Sequence, residues 1–169
     1  MATITKPPCF LGDSDYLDGR SELNVPKGAL KAYWDADILD ADGVRPERII
    51  GTDDEFKVRF RVELCGDLWG CICGTWCFDV GFTPIGEGKN FNLSTYVKKE
   101  KFEIRDWRGC DGTCIELCVT VPAGTIPSGD CSTVYEVAAT YELHCCDSHV
   151  VLVGYEALEE FQFYLRHTP

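Results

Sequence analysis

Eleven cysteines offer most of the reactive chemistry in this chain, and many of them follow the spacing of a β-strand. In residues 69–82 and 113–121, alternate positions are mainly apolar or glycine, and the cysteines occupy the other positions together with Asp, Thr and Glu. Cysteine usually behaves as a small buried hydrophobe, so this placement indicates disulfide bonds, bound metal or a surface that covers the sulfur. The six cysteines on predicted polar sides are Cys65, Cys71, Cys73, Cys77, Cys114 and Cys118.

Short connections between predicted strands bring two pairs of cysteines within reach of a disulfide bond. Cys65 and Cys71 flank a predicted turn. Cys110 and Cys114 bracket Asp-Gly-Thr in the same manner. A further bridge could join the strand of Cys77 to the strand of Cys114 if these strands are neighbours in a sheet. The predicted disulfide or thiol cluster consists of Cys65, Cys71, Cys73, Cys77, Cys110, Cys114 and Cys118.

The same cysteines have a second explanation, in which the thiols stay reduced and are covered by the N-terminal segment or by another subunit. Because the number of cysteines is odd, at least one has no partner within the chain. Cys9 follows two prolines in the segment before the first predicted strand, so it is the candidate for an intermolecular thiol. A dimer linked in this way would disappear on reduction.

A run of His and Cys at residues 144–149 is the densest group of metal-ligand types in the chain. Zinc is usually held by two pairs of such ligands that a long loop separates. A single hairpin carrying this run supplies three ligands at best, and its spacing matches no standard zinc pattern. We therefore predict no metal site, and His144, Cys146 and His149 are the residues that would bind zinc if one exists.

Four aspartates in residues 35–42 resemble calcium ligands at first sight. An EF-hand loop needs acids at its first, third and fifth positions, Gly at the sixth and Glu at the twelfth. With Gly43 in the sixth position, Ile38 and Ile49 fall on the first and twelfth, so the loop is not an EF-hand. A calcium ion at one end of the fold stays an alternative to a strand with outward acids followed by an Asp-Gly turn. No cofactor is predicted.

The sequence contains no motif of an established catalytic class. It lacks G-x-S-x-G, H-E-x-x-H, a phosphate-binding loop and a dinucleotide fingerprint. A cysteine nucleophile needs a lowered pKa and a neighbouring histidine, and His144 beside Cys145 meets this by sequence proximity alone. We predict that the protein is not an enzyme, and a thiol- or metal-dependent enzyme is the less favoured alternative.

Regular alternation separated by Gly, Pro and Asp predicts an all-β protein. Residues 1–29 contain three prolines and little periodicity, so they are predicted to form an arm before a single domain of residues 30–169. Residues 156–166 fit a helix or a strand, and we favour a strand after a break at Glu159-Glu160. Strands are predicted at residues 30–39, 56–65, 69–82, 91–97, 101–107, 113–121, 134–143 and 150–155.

About seven to nine short strands with turn residues between them predict an antiparallel β-sandwich, either immunoglobulin-like or jelly-roll-like. The order of three residues is similar to that of immunoglobulin-like domains, namely Cys65, then Trp76, then Tyr135 on a later strand. Val137 stands where the second cysteine of such domains would be, and Cys65 falls among polar positions. The resemblance is therefore one of architecture and implies no inter-sheet disulfide.

Charge and composition exclude several partners. The 169 residues carry a formal net charge of −12, which disfavours nucleic acid and anionic membranes because both attract basic surfaces. The apolar stretches are too short to cross a bilayer. No secretory signal is visible at the start, so the default compartment is the cytosol, whereas paired cysteines would indicate an extracellular location or an assembled particle.

The uneven distribution of charge favours association with other copies of the chain. Residues 89–108 carry six basic and three acidic side chains, whereas residues 1–56 carry twelve acidic and six basic ones. We predict a structural or interaction module that self-associates as a homo-oligomer. The alternative is a monomeric domain that recognises a carbohydrate or a protein through exposed aromatic rings.

Overall fold

The computed structural model of the chain describes residues 20–23, 29–69, 74–99, 105–107, 110–127, 132–145 and 149–165. Within these ranges the chain forms eleven β-strands and no α-helix, and no helix there could cross a membrane. The strands are β1 (Arg20–Leu23), β2 (Lys31–Asp40), β3 (Ile49–Gly51), β4 (Phe56–Cys65), β5 (Gly74–Pro84), β6 (Phe91–Lys99), β7 (Arg105–Trp107), β8 (Cys110–Val121), β9 (Thr133–Cys145), β10 (His149–Ala157) and β11 (Phe161–Tyr164).

The all-β prediction is confirmed, with differences at the strand boundaries. The prediction over residues 56–65 coincides with β4, and the predicted break at Glu159-Glu160 separates β10 from β11. Trp69 lies in a turn before β5, which begins at Gly74 rather than at the predicted residue 69. The described residues contain more strands than the predicted seven to nine, because β1 and β3 are too short to show alternation in the sequence.

The strands form two sheets. The smaller sheet has the order β2-β4-β8-β7, and all of its neighbouring strands are antiparallel. The larger sheet contains the other seven strands, with the path β1-β10-β9-β11-β3, while β5 pairs with both β9 and β6. Tyr135 of β9 pairs with Pro84 of β5 and with Phe161 of β11, so β5 lies on one side of β9 and β11 on the other.

Alternation along β4 explains how the sheets face each other. Phe56, Val58, Phe60, Val62 and Leu64 are buried in the core, and the residues between them lie on the opposite side of the smaller sheet. We call that opposite side the outer face. Sheets with one apolar side are stabilised by packing those sides together, and the two sheets here do so in a manner consistent with a sandwich.

Aromatic rings make the contacts between the sheets. Trp34 of the smaller sheet meets Tyr141 of the larger one edge to face, with ring centroids 4.9 Å apart. Phe60 and Phe78 form a second pair across the sheets at 5.0 Å. Such pairs stabilise by about 0.5–1.5 kcal/mol beyond the area that they bury.

Gly154 of β10 lies where the first of these ring pairs crosses the larger sheet. A Cβ atom at this position would overlap the Tyr141 ring and lie 2.9 Å from Nε1 of Trp34. The glycine therefore provides the space in which the two rings meet.

Tyr135 ties two loops to the start of β9. Its ring is fully buried, and its hydroxyl is 3.1 Å from the carbonyl oxygen of Pro127 and 3.4 Å from that of Lys89. Burial raises the pKa of this hydroxyl. The neutral hydroxyl can thus donate its hydrogen to carbonyl groups that precede β6 and β9.

Candidate functional site

The outer face of the smaller sheet carries a row of buried and half-buried charges. The register of β2 and β4 places Asp35 opposite Arg61 and Asp37 opposite Arg59. Asp35 and Asp37 are only 2% and 4% exposed. Arg45 adds a third guanidinium from the loop after β2. We call these five residues the acid–arginine ladder.

Hydrogen bonds link the members of this ladder. The two carboxylate oxygens of Asp37 accept from Arg45 and from Arg59, and Nη2 of Arg61 lies 3.4 Å from Oδ2 of Asp37. Arg61 also donates to Asp35. Asp37 therefore has three cationic partners, whereas Asp35 has one printed ion pair. Buried charges of this kind need such partners because the loss of water is costly.

The two carboxylates respond differently to this environment. Burial acts to raise the pKa of Asp37, but hydrogen bonds and charges from Arg59 and Arg45 outweigh it, so the pKa lies below its ordinary value. Burial raises the pKa of Asp35, and the neighbouring Asp37 adds to this, while Arg61 opposes it only in part. The pair is thus one firmly ionised carboxylate beside one that is easier to protonate.

Three of the predicted cysteines lie on the same outer face. Cys65 and Cys114 are disulfide-bonded, and Cys118 is a free, exposed thiol opposite Arg59. Cys65 is only 2% exposed although it follows the polar positions of β4, so this end of the face is covered. Burial, followed by the charge of Glu116, raises the pKa of the Cys118 thiol. A thiol with a raised pKa is a poor nucleophile at neutral pH.

Cys77 belongs to a different surface. It lies in β5 of the larger sheet, between β6 and β9, and its thiol is free and buried. Its sulfur is 3.3 Å from Oδ2 of Asp79. Because β5 and β8 are in separate sheets, the predicted bridge from the strand of Cys77 to that of Cys114 or Cys118 is not formed by strand pairing. The predicted cluster is therefore divided between the two sheets.

The remaining predicted site residues are only partly described. The backbone places Cys110 opposite Trp107 and His149 opposite Cys145. Nε2 of His144 lies 2.9 Å from Oε2 of Glu142 on the same strand. Cys9, Cys71, Cys73 and Cys146 lie outside the described residues.

The described side chains include no group of three or more His, Cys, Asp or Glu arranged to hold a metal ion. Of the four aspartates considered for calcium, Asp35 and Asp37 are bonded to arginines. Oδ1 of Asp40 accepts the Val44 N–H at 2.8 Å, which closes the turn after β2. These aspartates therefore stabilise the strand and its turn.

A cleft runs along the free side of β2, beside the ladder. Its cavity has a volume of about 160 Å³ and lies between β2, the Arg45 loop and the end of β10. Within it, the Ala36 N–H donates to Oε2 of Glu156 at 2.8 Å, so a side chain of the larger sheet bonds to the backbone of the smaller one. Sequence reasoning did not find Glu156, since no local pattern connects it to Ala36.

The arginines were also missed, although the sequence contained a signal for them. Acids at Asp35 and Asp37 and arginines at Arg59 and Arg61 have the same two-residue spacing, which is the pattern of a charge-paired strand ladder. Within the described part of the chain, no reactive thiol lies among these charges. The arrangement favours binding and stability over bond-making chemistry.

The chain matches no protein-family model and no curated protein. Its function therefore has to be argued from the surfaces and edges of the two sheets.

The state of the cysteines gives a direct test of this geometry. Without reductant, we expect iodoacetamide to modify Cys118 slowly in the folded protein, Cys77 only after unfolding, and Cys65 and Cys114 in neither state. Peptide mapping by mass spectrometry, with and without urea, measures each site. Alkylation of Cys65 or Cys114 without reductant would contradict their disulfide bonding, and the same map after reduction is the control.

Proposed function

We propose that this protein is a non-catalytic β-sandwich of the immunoglobulin-like type that associates with a second copy of itself through β6. The observation that carries the proposal is the long free edge of β6, whose nine residues pair with β5 on one side. In the part of the chain that the structure describes, no strand pairs with the other side of β6. A free edge of this length is a template for pairing with another chain.

The strand order supports the immunoglobulin-like assignment. The order β2-β4-β8-β7 corresponds to strands A-B-E-D of such domains, and β10-β9-β5-β6 corresponds to G-F-C with one further strand. Trp76, fully buried on β5, occupies the place of the core tryptophan of strand C. The Tyr135 hydroxyl reaches back to Pro127 as the tyrosine of strand F does.

The other edges are less suited to association. β1, β3 and β7 have only three or four residues each, so they offer few hydrogen-bonding groups. β2 is long, but its Ala36 N–H is already bonded to Glu156. β6 is thus the long edge without such a bond among those printed for the described residues.

The sequence of β6 supports pairing with an identical strand. Residues 91–97 are uncharged, and Lys98 and Lys99 follow at one end. If two copies meet antiparallel about the middle of the uncharged stretch, the lysines of the two copies lie at opposite ends and do not repel each other. The lysines then disfavour shifted registers.

We expect the protein to be a dimer at micromolar concentration, and lysines added to β6 to convert it to a monomer. Asn92→Lys with Ser94→Lys changes two exposed positions of this strand. The matched control is Thr120→Lys with Ala123→Lys, which adds the same charge at exposed positions away from β6. Light scattering after size-exclusion chromatography measures the mass, and the control is expected to remain a dimer.

A monomeric parent protein, or a β6 variant that stays a dimer, would count against self-association. A monomer favours the alternative of a recognition module. For that alternative, the exposed ring of Tyr155 on the larger sheet is the first residue to replace in a binding screen.

A further inference from the structure

The free edge of β2 carries a hydrogen bond that another strand would normally provide. β2 pairs with β4 on one side, and within the described ranges no strand pairs with its other side. In the middle of that side, the Ala36 N–H donates to the carboxylate of Glu156. Glu156 belongs to β10, so the acceptor comes from the opposite sheet.

This bond replaces a contact with water. Ala36 is only 2% exposed, so its N–H has little access to solvent. A buried N–H that loses its acceptor is destabilising by about 1–3 kcal/mol. The Glu156 carboxylate therefore takes the place of the carbonyl group that a neighbouring strand would present at this position.

There is also room beside the edge. The cleft along β2 has a cavity of about 160 Å³, and Glu156 lies on the side of this cleft that faces Ala36. If the Glu156 side chain turned away, backbone groups at the centre of a ten-residue strand would face the cleft.

We infer that the β2 edge is a second strand-pairing site for another copy of this chain, and that Glu156 holds it shut. Antiparallel pairing of two β2 strands about Ala36 places Asp35 of one copy beside Asp37 of the other. Arg45, Arg59 and Arg61 already compensate these charges, so the ladder lowers the repulsion between the copies.

A shut β2 edge also limits the size of the assembly, a step that rests on the proposed function. If β6 pairs and β2 does not, association ends at two copies. If both edges were open, each dimer could add further copies and form an open chain.

The test uses Glu156→Ala, which removes the acceptor, and Glu156→Gln, which keeps an amide oxygen that can accept the same bond. Both are made in the Asn92→Lys, Ser94→Lys background, where pairing through β6 is blocked. We expect the Ala variant to dimerise with rising concentration and the Gln variant to stay a monomer. We also expect the Ala36 amide of a monomeric dilution to exchange with solvent roughly tenfold faster in the Ala variant.

A folded Ala variant that associates no more than the Gln variant overturns the inference. If the Ala variant does not fold, Glu156→Met keeps the length of the side chain without an acceptor and is measured in its place. Exchange of the Ala36 amide in the unmodified protein at the rate of an unprotected amide would also overturn it. Failure of the proposed function appears separately, as a parent protein whose mass does not depend on the β6 lysines.

Discussion

Gly154→Ala is expected to destabilise the protein by about 3 kcal/mol, because the added methyl group enters space that the Trp34 and Tyr141 rings already fill. Both rings are fully buried and touch each other edge to face, so neither can move without disturbing the contact between the sheets. For a chain of this length the loss lowers Tm by on the order of 10 °C. Urea unfolding followed by tryptophan fluorescence measures the free energy of unfolding.

Gly81→Ala is the matched control for this substitution. Gly81 lies in β5 of the same larger sheet, and an added Cβ would be 3.3 Å from Oδ1 of Asn92. Asn92 is exposed and its side chain can turn away, so we expect a change of about 0.5 kcal/mol or less. Equal effects of the two substitutions would show that the ring contact does not determine the cost at Gly154.

Asp37→Asn is expected to destabilise the protein by about 3 kcal/mol at neutral pH, because it leaves the facing arginines without their shared carboxylate. Arg59 is mostly buried, so water replaces the lost partner poorly. Asp35→Asn is the matched control on the same strand and face. Arg61 loses its Asp35 contact in that variant but still lies near Asp37, so we expect a clearly smaller loss.

The two aspartates also predict opposite dependences on pH. The folded pKa of Asp37 is lowered, so its contribution is present above the unfolded pKa of about 4 and is lost as the pH falls through the folded pKa. The folded pKa of Asp35 is raised, so its contribution is present below the unfolded pKa and is lost as the pH rises through the folded pKa.

Urea unfolding at neutral pH and near pH 3 measures both dependences. The cost of Asp37→Asn is expected to shrink in acid, and the cost of Asp35→Asn is expected to grow. A cost of Asp37→Asn that does not change with pH would contradict the lowered pKa of Asp37.

Local alternation predicted what neighbouring residues determine and no more. It predicted the limits of β4 because five buried apolar residues alternate there with charged ones. It placed Cys77 and Cys118 on polar sides, but it could not assign them to different sheets, since sheet membership depends on distant strands. The Glu156 contact was beyond the sequence for the same reason, because 120 residues separate Glu156 from Ala36. The covered position of Cys65 likewise depends on tertiary packing.

The central position of β9 has a consequence for how the chain folds. β9 is bordered by β5 on one side and by β10 and β11 on the other, yet it lies near the end of the sequence. During synthesis, the hairpin of β5 and β6 must wait with an unpaired edge until β9 has left the ribosome. Pairing between such distant segments is slow, in the range of milliseconds to seconds. The larger sheet is therefore completed late, and the waiting hairpin is the segment that most needs protection from premature aggregation.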